Sequence, residues 1–178
     1  MIVNIDNAKR DLDETYDYLV ASVREVTKEM TAPLDSIVKE LSKGINLYSN
    51  QELWDFQVRL GLEAYALGNI REKSSLKEAC ADALYKESLA RSFTDSIGTQ
   101  EAKKQQSVLQ SIDKQAVSML WASVSSLLKT KCDEAHRLVN ILQGIQISRA
   151  AEAKQAANPR SEQDKINFIP QDNQDYFN

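Results

Sequence analysis

A chain of 178 residues with 42% hydrophobic content and a formal net charge of −4 holds apolar material for one domain rather than two. Glycine (5) and proline (3) are too scarce for a loop-rich or all-β protein, and the wealth of Ala, Gln, Ser, Lys and Glu points to an all-α fold. No apolar run approaches the roughly 20 residues that cross a bilayer, and Met1–Arg10 lacks the apolar centre of a signal peptide, so a cytoplasmic location away from membranes is expected.

After a short polar start, Leu12, Tyr16, Leu19, Val23, Val26 and Met30 alternate steps of four and three, the heptad pattern of a helix that packs along a narrow stripe. Thr31 has the chemistry of an N-cap and Pro33 falls in the first turn after it, where a missing amide hydrogen costs little. Leu34, Ile37, Leu41, Ile45 and Tyr48 then resume almost in phase, so residues 1–48 read either as two helices or as one helix kinked at Pro33. This N-terminal arm is an ordinary packing helix or a dedicated oligomerisation device.

Ser49 and Glu52 have capping-box spacing and introduce Leu53, Trp54, Phe56, Val58, Leu60, Leu62, Ala64, Tyr65 and Leu67. Apolar residues on nearly every face predict a short central core helix ending at Gly68 and Asn69, its aromatics core residues rather than base-stacking platforms. A second helix is predicted from Ser74 or Ser75, with Leu76, Ala79, Cys80, Ala83, Leu84, Ala90, Phe93 and Ile97 as its buried stripe and Lys73, Lys77, Lys86 and Arg91 on the opposite face.

Gly98 and Thr99 stop one helix and start the next, and residues 99–157 contain no proline and the single glycine Gly144. This predicts one very long C-terminal helix spanning roughly 85 Å, too long to be buried along its length by its own domain. Val108, Ile112, Ala116, Met119, Val124, Leu127, Leu138, Leu142 and Ile145 form a seam widened by Leu120 and Leu128, among others. The fold expected is an elongated helical bundle that forms oligomers through Leu120, Val124, Leu127, Leu138, Leu142 and Ile145. Lys129, Lys131, Asp133, Glu134 and Arg137 interrupt the seam and predict a weak point or bend, with Asp133 and Arg137 as an intrahelical ion pair. Cys80 and Cys132 both read as small buried residues.

Charge is unevenly spread. Residues 1–48 carry 6 bases and 9 acids, 49–68 carry 1 and 3, 69–157 carry 13 and 10, and the tail 158–178 carries 2 and 4. The overall balance argues against nucleic acid, but the core segment 49–157 is mildly basic in its larger part. Catalytic chemistry finds little support: the lone His136 sits in a polar stretch, and there is no phosphate loop, no metal-spaced cluster and nothing that implies a cofactor. A binding protein, not an enzyme, is expected. In the acidic tail, Phe168, Ile169, Tyr176 and Phe177 are apolar residues able to dock on a partner or guard a binding surface, or else belong to a disordered end.

The region from about Ser49 to Lys154 resembles a known family. A short apolar helix, then Lys77, Ala81, Ala83, Tyr85, Ala90 and Arg91, then Gly98, Thr99, Glu101, Lys103 and Lys104, and finally Ile147, Ser148, Arg149 and Glu152 are similar to the UvsY-type recombination mediators of T-even bacteriophages and their relatives. The resemblance implies ring-like homo-oligomers that bind single-stranded DNA and help load a phage or host recombinase onto DNA coated by single-strand-binding protein. By position it implies DNA contacts at Lys77, Lys86 and Arg91, flanked by Lys73, and at Lys103 and Lys104. Asp82, Glu87 and Glu101 dilute that patch, which repetition around a ring would offset. The alternative of a different class is a helical scaffold or inhibitory phage protein that grips another protein through its apolar seam, without nucleic acid.

Overall fold

A computed structural model describes residues 5–157, with side-chain surroundings from residue 13 onward. It is all-α there: α1 (Ile5–Leu41), a single 3-10 turn (Ile45–Leu47), α2 (Asn50–Asp95), α3 (Gln100–Gln110) and α4 (Ile112–Ala157). The side chain of Leu12 and the whole of the tail, with its docking residues, lie outside the described residues.

Residues 5–41 form one helix through Pro33, not two. Thr31 is not a cap; it lies inside the helix, buried, and its hydroxyl donates to Asp35 Oδ2 at 3.0 Å. Past Leu41 the chain turns at Gly44, whose φ of 132° suits a residue without a Cβ. The capping box forms as the spacing predicts, Ser49 N–H donating to Glu52 Oε2 at 2.7 Å while the Glu52 amide donates to Ser49 Oγ at 3.3 Å. The Ser49 amide first, and then the Ser49 hydroxyl donating to the same Oε2 at 2.7 Å, hold the Glu52 carboxyl below the ordinary glutamate range.

Gly68 and Asn69 do not end the helix they were expected to end. α2 continues for 46 residues because Leu53, Leu60, Leu67, Ser74, Ala81 and Ser88 recur every seven positions on one buried line, and the half-buried Gly68 costs only about 1 kcal/mol against that packing. Ser74 starts no new helix; its hydroxyl donates to the Ile70 carbonyl at 3.0 Å.

α2 and α4 run antiparallel. Gln57 meets Gln146 at 2.8 Å, Cys132 Sγ lies 3.7 Å from the Ala64 carbonyl, Ser75 meets Ser125 at 2.9 Å, and Ser111 Oγ donates to Ser88 Oγ at 3.1 Å. α1 lies parallel to α4, with Lys131 on Asp35 at 3.1 Å and Arg149 reaching the Tyr48 carbonyl at 2.7 Å. Where the three helices meet, Leu34, Ile37, Leu41, Leu53, Phe56, Leu60, Leu67, Val124, Leu128 and Leu142 form a continuous core.

The expected 99–157 helix is divided at Ser111, which is fully buried with φ −108° and ψ 5°. Its amide bonds the Val108 carbonyl three residues back, and its hydroxyl is drawn to Ser88. Thr99 caps α3 as expected, accepting from the Ala102 amide, after Gly98 at φ 130°. The polar stretch 129–137 does not interrupt α4: Cys132 and Ala135 carry the seam through it. Lys131 pairs with Asp35 and Glu134, and the expected Asp133–Arg137 pair is not formed.

Candidate functional site

Two halves of the bundle bury different residues. The half nearest the α1–α2 corner buries Leu, Ile and Phe; the half toward the Gly98 tip buries Ser74, Ala81, Ser88, Ser96, Ser107, Ser111 and Ser125. Small residues at seven-residue spacing let two helix backbones approach closely without large side chains between them. The apolar residues expected to bury there face outward instead. Leu76 is 68% exposed, and Leu84, Ile97, Val108, Leu109, Ile112, Val117 and Met119 are exposed with it. Cys80 is exposed too, whereas Cys132 is buried as expected, its thiol pushed up by burial.

The first half of α2 repeats this two-sidedness. Phe56 is buried, but Trp54, Val58, Leu62 and Tyr65 are exposed rather than part of the core. At roughly 100° per residue, Trp54, Val58, Leu62, Tyr65, Leu76, Cys80 and Ala83 fall on one stripe nearly opposite the buried line through Leu60 and Leu67. α2 therefore carries two apolar faces, and α4 and α1 cover one of them. The periodicity of Trp54, Val58 and Leu62 was visible in the sequence; that a second seven-residue line of Leu, Ser and Ala would claim the inside was the signal passed over.

The residues expected to make the oligomer seam lie largely inside this chain. Val124 and Leu142 are fully buried, Leu120, Leu138 and Ile145 pack against the same core, and Leu127 is half-buried beside α1. In this fold the helix partner of that seam is α2 of the same chain.

The candidate DNA contacts divide. Lys73, Lys77 and Arg91 fall within roughly 40° of one another along α2, while Lys86 lies roughly opposite Lys77. Lys86 is bound to Asp82 at 2.7 Å, and Arg91 is bound to Glu87. Lys77 Nζ sits 4.2 Å from the centre of the Trp121 ring, a cation–π contact. Lys103 and Lys104 are on α3, past the tip, with no ion pair among the described residues. Beside Arg91, a small polar cleft of about 390 Å³ takes in Glu87, Asp95 and Lys114 as well.

His136 is exposed on α4. Among the described residues no cluster of His, Cys, Asp and Glu is placed to hold a metal ion, and no helix is long and apolar enough to cross a membrane. Compared with protein-family models, curated proteins and solved structures, the chain finds no match in any of the three.

Proposed function

We propose that this chain acts by protein–protein association, as a helical scaffold that binds a further copy of itself through the outer face of α2. The supporting observation is the doubled apolar character of α2, whose stripe from Trp54 through Leu62, Tyr65 and Leu76 has no cover among the described residues. Light scattering should give a multiple of the 20.0 kDa chain mass, and Leu62→Glu with Leu76→Glu should return the monomer with its helix content intact. A wild-type monomer at tens of micromolar would remove the reading.

A second reading keeps the mediator function that the resemblance to the UvsY-type family implies. It is favoured by the alignment of Lys73, Lys77 and Arg91 on one side of α2, bordering the outer stripe, so that association would set several such edges in register. Recombinase and single-strand-binding protein would be partners only on this reading. It predicts salt-sensitive binding of a single-stranded oligonucleotide that weakens with Lys73→Ala and Lys77→Ala. Lys86→Ala, on the opposite side, should have the smaller effect.

A further inference from the structure

A second surface without cover among the described residues lies on the other side of the molecule. Between α1, from Tyr16 to Lys39, and α4 runs a groove of about 910 Å³ with apolar walls formed by Leu19, Val20, Val23 and Leu127. Its rim is basic. Arg24, Lys28 and Lys39 stand along it without an ion pair among the described residues. The acid on that rim, Asp35, is already held by Lys131 at 3.1 Å. A long apolar slot with a basic edge selects a segment that carries aromatic side chains and carboxylates but no bases.

The chain itself contains such a segment. Phe168–Asn178 holds Phe168, Ile169, Tyr176 and Phe177 with Asp172 and Asp175, and neither lysine nor arginine. It is also long enough. α1 runs parallel to α4 with Asp35 beside Lys131, so Lys39 and Lys28 stand level with about residues 135 and 124 of α4. Those levels lie about 33 and 50 Å back from Ala157 at 1.5 Å per residue. Extended chain at about 3.3 Å per residue covers about 36 Å from Ala157 to Phe168, about 50 Å to Asp172 and about 63 Å to Tyr176.

We propose that Phe168–Asn178 of the same chain docks in the α1–α4 groove, its apolar side chains against Leu19, Val23 and Leu127 and its two aspartates toward Lys28 and Arg24. The docking uses a different face from the outer stripe of α2 and does not depend on the scaffold reading. It gives the heptad arm a cover where α1 extends past the three-helix core, and it makes the groove available to an outside acidic segment only by displacement.

The test uses the full chain with Cys80→Ser, which removes the exposed thiol. Ala32→Cys on the groove is paired with Gln171→Cys, and Ser126→Cys, exposed on α4 away from both the groove lining and the outer stripe of α2, is paired with the same Gln171→Cys; none of these positions carries charge. Under mild oxidation the groove pair should cross-link within one chain about tenfold faster than the control pair, the excess reflecting raised local concentration at a docked site. Tyr176→Ser with Phe177→Ser should bring it down to the control rate while circular dichroism shows the helices intact. Equal rates for the two pairs, or cross-linked product only at twice the chain mass, would overturn the proposal.

Discussion

At the scale of single residues, the corner between α1 and α2 is closed by side chains that reach across from other helices. Arg149 of α4 donates to the carbonyls of Tyr48 at 2.7 Å and Ile45 at 3.4 Å, so one guanidinium satisfies two carbonyls at a chain reversal. Gln146 donates to the Asn50 carbonyl at 2.7 Å. The Tyr48 hydroxyl donates to the Glu40 carbonyl at 2.8 Å, and the Tyr48 ring meets Phe56 edge-on at 5.0 Å. Arg59 then bridges α2 to α1 by a paired contact with Glu40. Its hydrogen bond is the main cause that holds the Glu40 carboxyl below the ordinary glutamate range.

The sign of that shift fixes a pH dependence. A carboxyl whose folded value is depressed contributes stability that is complete above the unfolded glutamate value, about 4.3, and is lost as pH falls through the lower folded value. Wild type should therefore melt above Glu40→Gln at neutral pH, and the gap should close below about pH 4, checked by melting temperatures across the acid range. A gap unchanged at about pH 3 would assign the loss in the variant to packing rather than charge. The effect is small in either case, because both partners are substantially exposed. Arg149 was legible in the sequence only as part of a short terminal motif. Its bond to a carbonyl 101 residues away follows from the fold, which no local pattern contains.

At the scale of elements, local signals held at some boundaries and failed at others: the Ser49–Glu52 box, the Thr99 cap and the Gly98 stop formed, whereas Thr31 and Ser74 start no helix and Gly68–Asn69 end none. The Ser49–Glu52 box and the Thr99 cap formed as read, since each needs only residues three positions apart. Gly68 and Asn69 failed as a terminator because Leu67 and Ser74 are held by α4, and packing along 46 residues outweighs one weak link. A Cβ built on Gly61, Gly68 or Gly144 would meet nothing within 4 Å. Gly68→Ala should therefore raise stability by about 0.5–1 kcal/mol, seen as a higher denaturant midpoint with an unchanged slope. Destabilisation instead would mean that α2 needs its glycine there.

The same elements explain why the distal stripe was misplaced. Hydrophobic periodicity identifies a face that must be covered, not which partner covers it. Leu76, Cys80 and Leu84 have helical spacing, yet Ala81 and Ser88 take the inside because their small side chains suit the serine-lined contact with α3 and α4. The division at Ser111 follows from that contact too, and nothing in its neighbours Gln110 and Ile112 announces a break.

At the scale of the molecule, the result is a bundle with a full core at one end and a narrow two-stranded arm at the other, offering an apolar outer face on α2 and a basic-rimmed groove beside α1. The all-α character and the presence of long helices were open to reading from composition alone. The orientation of the apolar surfaces was not, because it depends on which of two stripes on α2 the antiparallel partner selects. On the proposed association, the outer stripe of α2 is buried between copies of the chain. Cys80 lies on that stripe and is exposed, while Cys132 is buried, so the native protein carries a built-in reporter. The direct measurement is the alkylation rate of Cys80 as a function of protein concentration, read by intact mass. Cys80 should react rapidly in dilute protein and slow severalfold as the chains associate, with Cys132 unreactive until unfolding. A Cys80 rate that stays constant across the concentration range would contradict it.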